Sequence, residues 1–176
     1  MTCTWLSIRV DLVEGGGLDL WPRPGRIFAA ARTRTFGQLA VAIDDAFARW
    51  DRAHLYQFYL ADGRQVSDPR WRDEDDDDGL LDGRKLTLGH LKAGEQFVYE
   101  FDFGDSWLHL CTVAAQRIDP TEQLGIIPTT PLPYWGWGVM PDQYGRAWDC
   151  DDGESPTPPN PDRADLPRIG PWERLR

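Results

Sequence analysis

The chain has 176 residues, 41% of them hydrophobic, and a formal net charge of −10. That length supports one ordinary domain that buries roughly 70% of its unfolded surface, with no need of a disulfide or metal staple. The acidic balance and the near absence of lysine argue against duplex DNA as a partner, because such surfaces cluster Lys and Arg.

Leu6, Ile8, Val10 and Leu12 alternate with Ser7, Arg9 and Asp11, the period-two pattern of a half-buried strand. Gly15 to Gly17 end it or form a flexible turn. The stretch from Leu18 to Pro24 reads as irregular, since Pro22 and Pro24 cannot donate to a ladder. Residues 26–32 suit an antiparallel return strand.

Thr35 and Gln38 have capping-box spacing, and Phe36, Leu39, Ala40, Ile43, Phe47 and Trp50 then recur every three or four residues. The spacing predicts a helix over 36–50, with Asp44, Asp45 and Arg49 off its apolar stripe. A single helix must bury such a stripe against a sheet. His54 to Leu60 reads as a strand, Asp62-Gly63 as a hairpin turn, and 64–66 as a short return.

The acidic run 73–78 should stay solvated through self-repulsion. It fails the calcium-loop pattern, with Glu74 where an Asp is required and Lys85 where a bidentate Glu is required. Leu86 to Leu91 suggests a helical turn capped by Thr87, with Gly94 beyond it.

Phe97, Tyr99, Phe101 and Phe103 alternate along the next strand, and a second strand follows Trp107, giving a hairpin near 96–103 and 107–116. Gly104 can supply a positive φ between them, and Asp105 can bond its own backbone. Beyond Asp119 prolines accumulate and no period survives. Residues 1–119 therefore read as an α+β domain: an antiparallel sheet with one long helix on one face. Residues 120–176 read as an irregular segment wrapped on that domain.

Asp102, Asp105 and His109 are the candidate catalytic residues, with His54 as a fourth candidate. A carboxylate beside an imidazole suits general acid–base work. The competing reading has Asp105 bonding turn amides, His109 bonding a neighbouring strand, and His54 capping the helix carbonyls. Trp135, Trp137, Tyr144 and Arg146 are the candidate partner-binding residues; the competing reading has the indoles clamping the tail to the core. Cys3, Cys111 and Cys150 lack CxxC spacing, so neither a zinc site nor a disulfide framework is expected, and a reducing cytoplasm is the simplest setting. No metal or cofactor is expected. Met1 to Trp5 lacks the start of a signal peptide, and no apolar run reaches membrane-spanning length.

Tyr99-Glu-Phe-Asp-Phe-Gly-Asp-Ser-Trp-Leu-His109, with Thr35-Phe36-Gly37-Gln38-Leu39 and the block from Ala46 to Phe58 before it, resembles the plasmid pRiA4b ORF-3-like family. The likeness covers about residues 5–115. It implies an α+β fold and an association with plasmids and insertion elements, and it transfers no reaction to particular positions. The expected function is thus a small cytoplasmic protein-interaction module of a mobile element. The alternatives are a hydrolytic or metal-assisted enzyme using Asp102, Asp105 and His109, and a nucleic-acid-handling or DNA-mimicking protein.

Overall fold

In the computed structural model, residues 4–71 and 79–144 are described. The first strand, β1 (Trp5–Gly15), turns through Gly16 and Gly17 into a two-residue β2 (Leu18–Asp19) and then pairs with β3 (Gly25–Ala31). Residues 18–24, read as irregular, thus include a short strand. The β1–β3 register sets Leu6 opposite Ala30, Ile8 opposite Phe28 and Val10 opposite Arg26. Paired residues share a face, so the alternation in β1 defines one buried side of the sheet.

Helix α1 (Phe36–Ala46) covers that side. The capping box is present: Thr35 Oγ1 accepts from Gln38 N at 3.2 Å, and Thr35 N donates to Gln38 Oε1 at 3.0 Å. The helix stops four residues before the expected end at 50. Ala48 turns left-handed at φ 58°, Ala48 N donates to Asp45 O, and Arg49 N donates to Asp44 O at 2.9 Å. This is a Schellman closure with alanine where glycine is usual. Trp50 therefore leaves the stripe and is 45% exposed, while Asp44 and Arg49, read as off the stripe, are buried.

The remaining strands are β4 (Tyr56–Tyr59), β5 (Gln65–Ser67), β6 (Leu81–Asp82), β7 (Gln96–Phe101) and β8 (Trp107–Val113). Between β6 and β7 the anticipated helical turn is a 3-10 turn at Leu88–His90; Thr87 precedes it without a side-chain cap bond. After β8 come α2 (Pro120–Leu124), capped by Asp119, and β9 (Leu132–Trp137). Residues 120–144 hold more regular structure than their prolines suggested.

The strand order is β6-β5-β4-β7-β8-β1-β3-β9, with β2 added on β1. Every pair is antiparallel except β5–β6, so this is a mixed sheet in an α+β fold. Helix α1 touches both β5, near one end of that order, and β9, at the other. The sheet must curl around the helix for both to reach it. Its concave side holds the core: Ile8, Leu12, Phe28, Phe36, Leu39, Ile43, Phe47, Phe58, Tyr99 and Phe101 are all buried. Phe36, Phe58 and Tyr99 meet edge-on or tilted, with centroids 5.1 and 4.7 Å apart, the geometry aromatic quadrupoles favour.

Candidate functional site: a groove along the first helix

The outer side of α1 floors an open groove of about 1050 Å³. Gln38, Val41, Ala42 and Asp45 come from the helix. Tyr56, Asp68, Arg70 and Arg84 come from the β4–β6 side, and Thr130 to Pro133 lead into β9 on the other. The walls are mostly apolar, and Val41, on the helix that floors the groove, is 56% exposed.

The charged groups on the rim are largely committed to one another. Arg70 pairs with Asp68, and Arg84 holds Asp82 at 2.9 Å, which pulls Asp82 down to about 2. The guanidinium of Arg70 also holds Asp68 below the usual carboxylate range. Arg52 is shared between Asp44 and Asp45.

Asp44 differs from the others because it is buried. Its Oδ1 accepts from the Tyr99 hydroxyl at 2.7 Å, and its Oδ2 lies 3.5 Å from Arg52 Nη1. Burial pushes its carboxyl up to about 7, although Tyr99, Arg52 and Arg49 all oppose the shift. Burial beside that carboxylate likewise raises the Tyr99 hydroxyl well above its ordinary value. Helical periodicity assigned Asp44 to solvent. Its burial follows from the turn after α1, which folds Arg49 and Arg52 back over the end of the helix, and from a tyrosine on β7, four strands further along the chain.

The candidate catalytic residues separate into two groups. His54, which lines the groove, meets Asp102: Nδ1 lies 3.3 Å from Asp102 Oδ2. Its Nε2 lies 2.7 Å from the Tyr144 hydroxyl, which donates to Asp51 Oδ2 at 2.8 Å. His54 therefore ties the 140–144 segment to the hairpin and does not cap the α1 carbonyls. Asp51 belongs to this cluster and was not singled out in the sequence. The bond from Ala53 N and the Tyr144 hydroxyl lower its carboxyl.

His109 lies elsewhere, fully buried in β8. Its ring packs edge-on against Phe47 with centroids 4.8 Å apart, and Nδ1 is 3.3 Å from Tyr99 O. Burial, then the Arg49 charge, push it down to about 3. Among the described residues no hydrogen bond or ion pair joins it to Asp102 or Asp105. Asp105 is half-buried and its carbonyl accepts from Gly16 N. Asp102 turns its Oδ1 to Gly104 N at 3.0 Å. The positive φ of this turn falls on Asp102 (58°) and Ser106 (50°), not on Gly104 as the sequence suggested. Asp tolerates that region through such local bonds. Cys111 is buried, and burial pushes its thiol far up, which leaves it a poor nucleophile.

Both candidate partner-binding indoles sit in β9. Trp137 lies against Gly25, where a Cβ would overlap its ring, and its Nε1 donates to Arg23 O at 2.9 Å. The Arg9 guanidinium covers the ring at 4.7 Å. Trp135 is half-buried against the core. Tyr144 is exposed but bonded as above. Arg146, Trp148, Trp172, Cys3, Cys150 and the acidic run 73–78 lie outside the described residues. No helix among the described residues is long and apolar enough to cross a membrane.

A mixed sheet curled around one helix, with a groove on the outside of that helix, defines an α+β protein of the class anticipated from the hairpin pattern. The family model for the plasmid pRiA4b ORF-3-like protein matches residues 21–130, and the chain belongs to that family. The match starts later and runs further than the motifs indicated, taking in α2. The fold is also similar to a crystal structure of the protein of unknown function MM3350 from Methanosarcina mazei Go1. The TM-score is 0.58 and the identity 18%, over 75% of this chain and 68% of that one. No curated protein matches the chain.

Proposed function

We propose that the protein is a non-enzymatic binding module that holds an extended segment of a protein partner in the α1 groove. The cytoplasm of a cell carrying a mobile element is the setting suggested by the plasmid origin of the family name. One observation carries the reading: a largely apolar groove of about 1050 Å³ runs beside the end strand of the sheet. Its size lies at the upper end of small-molecule pockets, roughly 300–1000 Å³, and it is open. Among the described residues, strand β9 pairs with β3 alone and ends the sheet beside the groove wall. Extended peptides commonly add to such edges. Pro133 has no backbone N–H to donate, so side-chain contacts in the groove carry more of the affinity. The acid–base alternative is weakened by the burial of His109 away from Asp102 and Asp105.

The test is selection of a random peptide library on the folded protein, repeated on Val41→Glu. Enriched peptides should lose at least tenfold in affinity on the variant, with its melting transition retained. Failure to enrich, or binding indifferent to Val41, contradicts the proposal.

A further inference from the structure

We propose that Asp44 is the anchor carboxylate of this groove and that it receives a Lys or Arg side chain of the bound segment. The inference rests on the groove reading above and names the chemistry the groove selects.

Four observations converge on it. Asp44 lines the groove although its side chain is only 7% exposed. Its Oδ1 is satisfied by the Tyr99 hydroxyl. Its Oδ2 accepts no hydrogen bond from the described residues, and the nearest cation, Arg52, stands at 3.5 Å while bonding Asp45. Arg52 is therefore divided between two carboxylates, and its Nε is held by the Arg49 carbonyl. A buried carboxylate without a full counter-charge is unfavourable. An incoming ammonium or guanidinium supplies that charge, whereas an anion would meet both Asp44 and Asp45. The net charge of −10 also draws a cationic segment towards the protein.

Other charged and titratable groups face Asp44 from each element packed around it. Tyr99 approaches from β7, Arg49 and Arg52 from the turn after α1, Asp45 from α1 itself, and Tyr56 from β4. His54 lines the same groove as Tyr56, and burial holds the Asp44 carboxyl at about 7. A cation binds the ionised form, so affinity should rise with pH between 6 and 8.

The probe is a set of fluorescent decapeptides selected for the groove, each made with Lys, norleucine or Glu at one position. Anisotropy is measured on the full chain and on Asp44→Asn, which keeps an acceptor for Tyr99. The Lys peptide should bind at least tenfold more tightly than norleucine at pH 8. That advantage should shrink towards pH 6 and vanish in Asp44→Asn, while the variant keeps its melting transition. Binding that depends on Val41 but shows no preference for Lys overturns the anchor role and leaves the groove reading standing. A preference for Glu overturns it in favour of Arg52. No binding by any peptide overturns both.

Discussion

Asp44 and His109 are buried on either side of Tyr99, and their titrations should oppose each other. Burial lifts Asp44 to about 7 and drops His109 to about 3. In the unfolded chain they titrate near their ordinary values, about 3.9 and 6.5. Between those limits the native state holds a proton on Asp44 that the unfolded chain releases. The Asp44 contribution is therefore full below about pH 4 and is lost as pH rises through 7. The native state also refuses a proton that the unfolded chain takes up on His109. The His109 contribution is full above about pH 6.5 and is lost as pH falls towards 3. Each slope approaches about 1.4 kcal/mol per pH unit, so from pH 4.5 to 6.0 each amounts to about 2 kcal/mol, with opposite sign. Carboxylates depressed by arginine, such as Asp68 and Asp82, act below this window. Urea unfolding at pH 4.5, 5.2 and 6.0 should give a nearly flat profile for the wild type. Asp44→Asn should become more stable with rising pH by about 2 kcal/mol, and His109→Gln less stable by a similar amount. Parallel profiles in all three proteins would refute the burial of these charges.

The helix ends and the glycine contacts give further expectations. Ala48→Gly relieves a left-handed alanine at the Schellman closure, and urea unfolding should show a gain of about 1 kcal/mol; a loss would mean the closure is misplaced. Thr35→Ala removes the capping box and should cost about 1 kcal/mol by the same assay. Gly25→Ala places a Cβ in the Trp137 indole, so it should lower stability by about 2 kcal/mol and shift the tryptophan emission to the red; an unchanged spectrum would put Trp137 elsewhere. At a net charge of −10, random duplex DNA should show no micromolar binding by anisotropy at physiological salt; a steep salt slope would reveal a basic patch.

Where local chemistry decided the structure, the sequence was readable. Thr35 and Gln38 placed the start of α1, the alternation at Leu6 to Leu12 placed β1, and the Phe97 to Phe101 pattern placed β7. Where distant partners decided it, the sequence was silent. Trp50 continues a perfect stripe, but the left-handed Ala48 turns the chain away before it arrives. Asp44 reads as a solvent residue because its burial depends on Tyr99 and on Arg49 and Arg52 folding back over the helix. His109 sits close in sequence to Asp102 and Asp105, yet strand alternation turns it into the core beside Phe47. His54 joins Asp102 only because β4 pairs with β7, a register that no local pattern encodes. Residues 132–137 contain Pro133 and Gly136, which hid an edge strand whose position is set by β3 and by the room that Gly25 leaves for Trp137.

Amide chemical-shift mapping with a selected peptide tests the location of binding most directly. If the α1 groove is the binding surface, shifts should concentrate at Gly37 to Asp45, at Tyr56 and from Thr130 to Leu132, and should follow one saturable curve. Shifts confined to Arg9, Tyr134 and Trp137, with α1 unmoved, would place the partner on the opposite face of the sheet and contradict it.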